Sequence, residues 1–516
     1  MNIVYYVKLR GIFVKKLVVI HPFLFAVFPV LFLFAYNIDE VSVSDLFLPI
    51  VVVTIFTLAL FFLLKLIIKS YYKSGIITSC FVILFFSYGH VSQALMPLIG
   101  YAERTFILGS LWALFLITVT FLVIKSRHSY GSITRYLNIV TVILIIISII
   151  NIGIYEIRAS SHIYDANTQE INKEANGPDL NISANLPDIY YIILDSYAAQ
   201  NTLKEVFDYD NSEFIADLTR KGFYVSPTSR SNYAHSAISI SSALNMEYIT
   251  FRDSITLKSK KQNNTVTRLL KSKGYRNIYV SEGTFSKELS EHAEVYLPEQ
   301  GAFGIGMTNF VIGLIKTTAL EPFRDIIGID RRKDILFVFE TLADIPDIEE
   351  PTFVVAHLNA VHTPFVFDRD GNPTMQAVFH ATSVPQYYQE GYIEQLIFMN
   401  KKIGELIDEI LSKSDTEPVI ILQADHGPRD IPPREGPVDE FEEIRVKAGM
   451  SILNAYYLPE NGSRFLYESI TPVNTFRMVF NLYLDEDYEL LKDESYYSYT
   501  GKQFDFIFLP PEGKVD

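Results

Sequence analysis

Five long apolar runs occupy the first third of this chain, at roughly 17–36, 47–69, 75–95, 105–124 and 137–155. Each approaches or exceeds the ~20 residues that carry a helix across a bilayer. Stretches such as 51–64 and 139–150 hold only an occasional Thr or Ser and present no polar face. They therefore do not read as helices packed inside a soluble protein. The first run is too long, and is followed by too many others, to be a cleaved signal peptide. The expectation is a five-helix transmembrane bundle over residues 1–156.

Charge gives that bundle a direction. Residues 1–155 carry eleven Lys/Arg against four Asp/Glu, a balance of +7, which leaves −22 for the rest of a chain whose formal charge is −15. The basic residues gather before the first run (Lys8, Arg10, Lys15, Lys16) and in the second and fourth connections (Lys69, Lys73, Lys125, Arg127, Arg135). The first connection has none and the third only Arg104. By the positive-inside rule the N-terminus is cytoplasmic, and five crossings put everything after about residue 156 outside the cytoplasm. No ionisable residue lies mid-run in a pathway pattern, and His21 and His90 sit near run ends, which favours an anchor over a transporter.

Residues 157–186 lose apolar periodicity and are read as a linker. From 187 to 516 short apolar runs (188–194, 224–226, 277–281, 353–358, 419–423, 452–457) alternate with helical patterns at 212–221, 266–273 and 392–412. Such alternation predicts a sheet covered on both faces, an α/β/α sandwich. The single cysteine, Cys80, lies in a membrane run. The soluble part thus excludes disulfides, zinc fingers, iron–sulfur ligation and cysteine nucleophiles. Its acidity gives nucleic-acid binding no support.

Open α/β sheets place their sites at the carboxyl ends of strands. Three ends here carry unusual residues: Asp195-Ser196 after the first strand, His357 with His362 after a later one, and Asp425-His426-Gly427 after another. Asp and His without Cys suit one divalent cation, Zn or Mn. Such a cation acidifies a hydroxyl beside it, which calls for a nucleophile. Residues 231–246, SNYAHSAISISSALNM, read as a loop entering a helix, where free amides favour phosphate oxygens. Ser236 is the candidate; Ser231, Ser239, Ser241 and Ser242 compete with it.

Taken in order, ILDS, SAIS, HLNAVHTPF and QADHG resemble the alkaline-phosphatase/sulfatase superfamily over about residues 185–460. The preceding apolar runs make the chain similar to its membrane-anchored branch, which includes lipoteichoic acid synthases and lipid A phosphoethanolamine transferases. The resemblance implies an alkaline-phosphatase-like fold with Asp195, Ser236, Asp425 and His426 as metal ligands. It implies Ser236 as nucleophile, since Ser236-Ala237-Ile238-Ser239-Ile240 is similar to the Thr-Ala-Val-Ser-Val of phosphoethanolamine transferases. His357 and His362 match a segment that binds the phosphoryl or leaving group. The formylglycine signal of many sulfatases, Pro or Ala at +2 and Arg at +4, is replaced by Ile238 and Ile240.

The activity implied by the resemblance is that of a metal-dependent transferase. It would move a phospholipid headgroup, phosphoethanolamine or phosphoglycerol, to a cell-surface glycan through a covalent serine intermediate. One alternative is a sulfatase-like hydrolase of sulfate or phosphate esters. The other is a non-catalytic glycan- or lipid-binding membrane protein. The expected partners are a phospholipid donor, a glycan acceptor and the membrane, with no nucleic acid. The expected place is the bacterial cytoplasmic (inner) membrane, with the catalytic domain outside.

Overall fold

The computed structural model describes residues 4–9, 12–38, 41, 43–95, 101–174, 186–282, 293–296, 309–323, 331–359, 361–374, 385–433 and 438–510. In chain order the helices are α1 (His21–Tyr36), α2 (Phe47–Ile68), α3 (Tyr71–Leu95), α4 (Tyr101–Lys125), α5 (Gly131–Glu174), α6 (Gln200–Phe207), α7 (Ser212–Arg220), α8 (Ser236–Asn245), α9 (Ser254–Gln262), α10 (Thr265–Ser272), α11 (Asn309–Thr317), α12 (Arg331–Asp344), α13 (Pro385–Lys413), α14 (Val438–Met450) and α15 (Pro472–Tyr483). The strands are β1 (Val4–Leu9), β2 (Ile12–Leu17), β3 (Ile189–Leu194), β4 (Tyr224–Val225), β5 (Arg276–Ser281), β6 (Glu294–Tyr296), β7 (Thr352–Leu358), β8 (Val419–Gln423), β9 (Asn454–Tyr457), β10 (Ser495–Tyr497) and β11 (Ile507–Leu509). The chain forms two compact units, residues 1–161 with 299–329, and residues 162–298 with 330–516.

The first unit is helical. Among the described residues, four segments, in α2, α3, α4 and α5, are long and apolar enough to cross a membrane. The first apolar run forms only a 16-residue helix, α1, with Pro29 inside it. At ~1.5 Å per residue it falls short of the ~30 Å hydrocarbon layer. Outward-facing Ile55, Phe62, Phe115 and Ile146 are exposed, as lipid-facing side chains are. The antiparallel pair β1–β2 precedes α1 and was not signalled by the apolar pattern. Helix α5 continues to Glu174, beyond the loss of periodicity at 157. No Gly or Pro interrupts residues 154–176, and the breaker pair Gly177-Pro178 comes only afterwards. Residues 175–185 of the expected linker lie outside the described residues.

Helix α11 also belongs to the helical unit, although its sequence lies between strands of the sheet. Its apolar face buries Phe310 and Leu314 in a cluster with Val30 and Phe34 of α1 and Val82 and Phe86 of α3. Gly89 permits the approach: a Cβ there would lie 1.9 Å from the Lys316 carbonyl oxygen.

The second unit is a three-layer sandwich around a seven-stranded sheet of order β4-β9-β8-β3-β7-β5-β6. The inner strands β8, β3, β7 and β5 are parallel, and β9 and β4 add antiparallel pairings at one side. Period-two alternation assigns the faces. Tyr190, Ile192 and Leu194 of β3 pack with Leu203, Leu218, Val338, Leu342, Leu396 and Ile403 on the face covered by α6, α7, α12 and α13. Ile189, Tyr191 and Ile193 face the opposite layer, with Leu244 of α8, Leu270 of α10 and Phe476 of α15. All six β3 side chains are buried, so a continuous apolar run was needed rather than an alternating one.

Candidate functional site

Register brings the three strand ends together. Ile193 of β3 pairs with His357 on one side and Gln423 on the other, so Asp195, His357 and Asp425 emerge from adjacent strands at one edge. The turn after β3 is tight: Ser196 has φ 64° and its Oγ donates to Asp195 Oδ1 at 3.0 Å. Tyr392 of α13 holds this turn, donating from its OH to the Ser196 carbonyl (2.8 Å) and accepting from Ala198 N (3.1 Å). After β8, Gly427 passes against α14, where a Cβ would stand 2.0 Å from the Ala448 carbonyl oxygen and 2.6 Å from that of Ser451. Gly427→Ala is therefore expected to destabilise the sandwich by about 3 kcal/mol through overpacking. Thermal melting of the purified protein checks this, and an unchanged midpoint contradicts the close approach.

Asp195, Asp425 and His426 each present one ligand atom, all within 4.8 Å of one another, and all three residues are buried. Asp425 Oδ1 accepts from the amides of His426 (2.9 Å) and Ser196 (3.4 Å). Its other oxygen, Oδ2, is buried with no hydrogen-bond partner. The Nδ1 of His426 lies 2.8 Å from the Gly427 carbonyl, a geometry in which Nδ1–H donates and the Nε2 lone pair stays available. That Nε2 is 3.6 Å from Asp195 Oδ1 and 3.7 Å from Asp425 Oδ2. A buried carboxylate oxygen with no donor, beside an imidazole lone pair and a second carboxylate, fits one divalent cation.

The hydroxyl expected beside this cluster is there. Ser236 is the first residue of α8, and its Oγ lies 3.1 Å from His426 Nε2. The competing serines are consumed by the fold: Ser231, Ser239, Ser241 and Ser242 are buried, whereas Ser236 keeps partial exposure. Ser231 Oγ, for instance, bonds the carbonyls of Tyr233 and Asp425. Arg429 bonds the Ala234 carbonyl (2.8 Å) and His235 Nδ1, so a guanidinium stands at the entry to α8. Burial, then Arg429 and His426, push the His235 ring down to about 3, leaving it neutral near pH 7. Arg230, by contrast, donates to the Pro510 carbonyl of the tail. That tail stacks Tyr496 on Tyr233, three residues before Ser236.

The two other histidines differ in access. His357 is buried, with Nε2 3.9 Å from Asp195 Oδ2. Burial holds its ring below the ordinary value, although Asp195 and Asp425 pull the other way. His362 is partly exposed, its Nε2 3.9 Å from Asp430 Oδ2 and its Nδ1 2.8 Å from the Thr363 carbonyl. Burial alone would raise the Asp195 carboxyl. The neighbouring imidazoles of His362, His426 and His357 and the Ser196 hydroxyl outweigh it and hold the group below the ordinary carboxylate range.

Sequence reasoning missed one strand end. Glu282 follows Ser281, the last residue of β5, and is buried. Burial pushes its carboxyl up to about 7 against the opposing charge of Arg331. The signal was the one used elsewhere, an ionisable side chain directly after an apolar strand.

A family model described as Sulfatase matches residues 187–476. No curated protein matches the chain. Among solved structures, lipooligosaccharide phosphoethanolamine transferase A from Neisseria meningitidis is 12% identical, covers 90% of this chain and 94% of its own, and has a TM-score of 0.41. The C-terminal periplasmic domain of EptC from Escherichia coli is 12% identical with a TM-score of 0.41, over 65% of this chain and 96% of that one. A Bacteroides thetaiotaomicron protein, described with glycosaminoglycan metabolism, is 12% identical with a TM-score of 0.40, over 63% of this chain and 84% of that one.

Proposed function

The chain belongs to the sulfatase family and is an enzyme of that superfamily, and from this premise we propose that it moves a phospholipid headgroup, phosphoethanolamine or phosphoglycerol, to a cell-surface glycan through a covalent Ser236 intermediate. The observation that carries this reading is Ser236 Oγ at the start of α8, 3.1 Å from His426 Nε2 and beside the Asp195–Asp425–His426 cluster. Ile238 and Ile240, where formylglycine sulfatases need Pro or Ala and Arg, favour a serine alkoxide over a formylglycine nucleophile.

Asp195, Ser236, Asp425 and His426 would hold the divalent cation, zinc or manganese, which supplies a lowered serine pKa and charge neutralisation for the phosphoryl oxygens. Ser236 Oγ forms the bond to phosphorus and the ester bond to diacylglycerol breaks. Net, the serine proton ends on the departing alkoxide, and partly exposed His362 is the group that delivers it. Buried His357 is a positioning group for Asp195. The first amides of α8 and Arg429 receive the phosphoryl oxygens, offsetting the acidity of the domain. An acceptor hydroxyl then attacks phosphorus and frees Ser236. In this reading 1–156 is the anchor, 157–186 the connection and 187–516 the catalytic domain, except that 299–329 belongs to the helical unit. The basic connections with Lys69, Lys73, Lys125, Arg127 and Arg135 lie in the cytoplasm and the site outside it, at the bacterial inner membrane.

Intact-protein mass spectrometry after incubation with vesicles of phosphatidylethanolamine or phosphatidylglycerol tests the reading. A mass increase of one headgroup phosphate, mapped to Ser236, is expected with one of the two lipids. Absence of any adduct together with sulfate release from a test ester makes the enzyme a sulfuric ester hydrolase instead.

A further inference from the structure

The loop that carries His362 is gripped from two sides by charged groups outside the nucleophile and its neighbouring cluster. Glu282 Oε1, at the end of β5, accepts from the Asn359 amide at 2.8 Å. Arg331, the first residue of α12, donates to the Asn359 carbonyl at 3.2 Å and to the Thr363 carbonyl at 3.3 Å. The same Thr363 carbonyl lies 2.8 Å from His362 Nδ1. The circuit closes between the two charged residues, with Arg331 Nε 3.6 Å from Glu282 Oε2 and the glutamate side chain only 3% exposed. The backbone amide of His362 also folds back onto the Asn359 carbonyl at 3.2 Å.

These contacts have one geometric result. The Asn359 carbonyl receives Arg331 and the His362 amide, and the Thr363 carbonyl receives Arg331 and the His362 ring. The ring is thereby referenced to β5 and α12 rather than to its own loop. With Nδ1–H committed to Thr363, Nε2 is the nitrogen left to face Asp430, and the ring lies close enough to Asp195 to act on its carboxyl. Burying the Glu282 carboxylate beside the partly exposed Arg331 is an expensive way to hold a loop, since that carboxylate loses its hydration and apolar packing would serve as well. A fork-shaped guanidinium, however, can fix two carbonyls at once, which an apolar side chain cannot.

We infer that Glu282 and Arg331 are positioning residues that orient His362 to protonate the leaving oxygen. This inference rests on the proposed acid role of His362. In the step concerned the phosphorus–oxygen bond to diacylglycerol breaks, its electron pair stays on the leaving oxygen, and the proton on His362 Nε2 passes to it. An alkoxide needs that proton, whereas p-nitrophenolate departs without it. Loss of orientation must therefore cost far more with the lipid than with an activated ester of the same phosphoryl group.

The experiment uses the full-length protein in detergent micelles. Its substrates are phosphatidylethanolamine and phosphatidylglycerol, read as diacylglycerol release, and the p-nitrophenyl diesters of ethanolamine phosphate and glycerol phosphate, read as p-nitrophenol. His362→Ala should lower lipid turnover about 100-fold or more but p-nitrophenol release less than about tenfold. Glu282→Gln and Arg331→Met should follow the same pattern at about one tenth of turnover on lipid, with near-normal rates on the chromogenic esters and unchanged KM. Arg331→Lys, which keeps the charge but not the fork, should recover only part of the lipid rate. Melting midpoints confirm folding of each variant. A parallel loss on both substrate classes, or no loss on either, in folded Glu282→Gln and Arg331→Met overturns the inference while leaving His362 in place. Equal loss on both classes in His362→Ala overturns the acid assignment and the inference with it.

Discussion

Replacing Ser236 with alanine should abolish headgroup release and leave no covalent adduct, with turnover down by about four orders of magnitude or more. The size follows from the arrangement. No other hydroxyl of the 231–246 segment is placed to substitute: Ser231, Ser239, Ser241 and Ser242 are buried and most serve local bonds, such as Ser242 Oγ to the Glu247 carbonyl at 2.6 Å. The substitution deletes a single, partly exposed atom at a helix start, so the fold should survive, and Asp195, Asp425 and His426 should still hold the cation, though more weakly. Ser236→Thr keeps the hydroxyl and should retain measurable turnover, because the methyl adds bulk without removing the nucleophile. Ser236→Cys keeps a nucleophile of softer character and larger radius, and should react slowly. The readout is diacylglycerol release together with the mass of the intact protein. A Ser236→Ala protein that still forms an adduct would move the nucleophile to another residue.

Much of this site was legible because the fold announces it. Asp195, His357, Asp425 and His426 each end or directly follow an apolar run, and parallel pairing with level register then forces those ends together. The run 188–194 could be a buried strand only if both faces of the sheet were covered, as they are. Ser236 was harder. Five serines share its segment, and only the three-dimensional path shows four of them turned into the fold. The contact of Tyr392 with the Asp195 turn spans almost 200 positions in the chain, and no local pattern reports such a pairing. Glu282 was passed over because its strand is followed by no familiar motif, although the physical signal was present. The packing of α11 with the membrane helices was hidden for a different reason: NFVIGLIKT is as apolar as a core helix of the sandwich, and burial partners cannot be read from apolarity.

Chelation should silence the enzyme, and the way each ligand variant fails should identify which atoms hold the cation. Asp425 is the most exposing test. Its Oδ1 is occupied by two backbone amides while Oδ2 has no partner, so Asp425→Asn offers the cation either a neutral oxygen or an amide nitrogen that repels it. A neutral ligand in a buried pair of carboxylates also removes half of the negative charge that offsets a divalent ion. The variant should bind metal about 100-fold more weakly and lose about three orders of magnitude in turnover. His426→Gln loses the nitrogen that meets Ser236, Asp195 and Asp425, and should fail equally. Stripping the wild-type protein with a chelator and restoring zinc or manganese separately distinguishes the two ions, since the better one should return activity at stoichiometric amounts. Metal content by atomic emission, measured on wild type and both variants, gives a readout independent of turnover. Full activity in a protein with no bound metal would remove the cation from the mechanism. It would leave Asp195 and Asp425 as two buried carboxylates sharing one site, an arrangement that only a proton or another cation could stabilise.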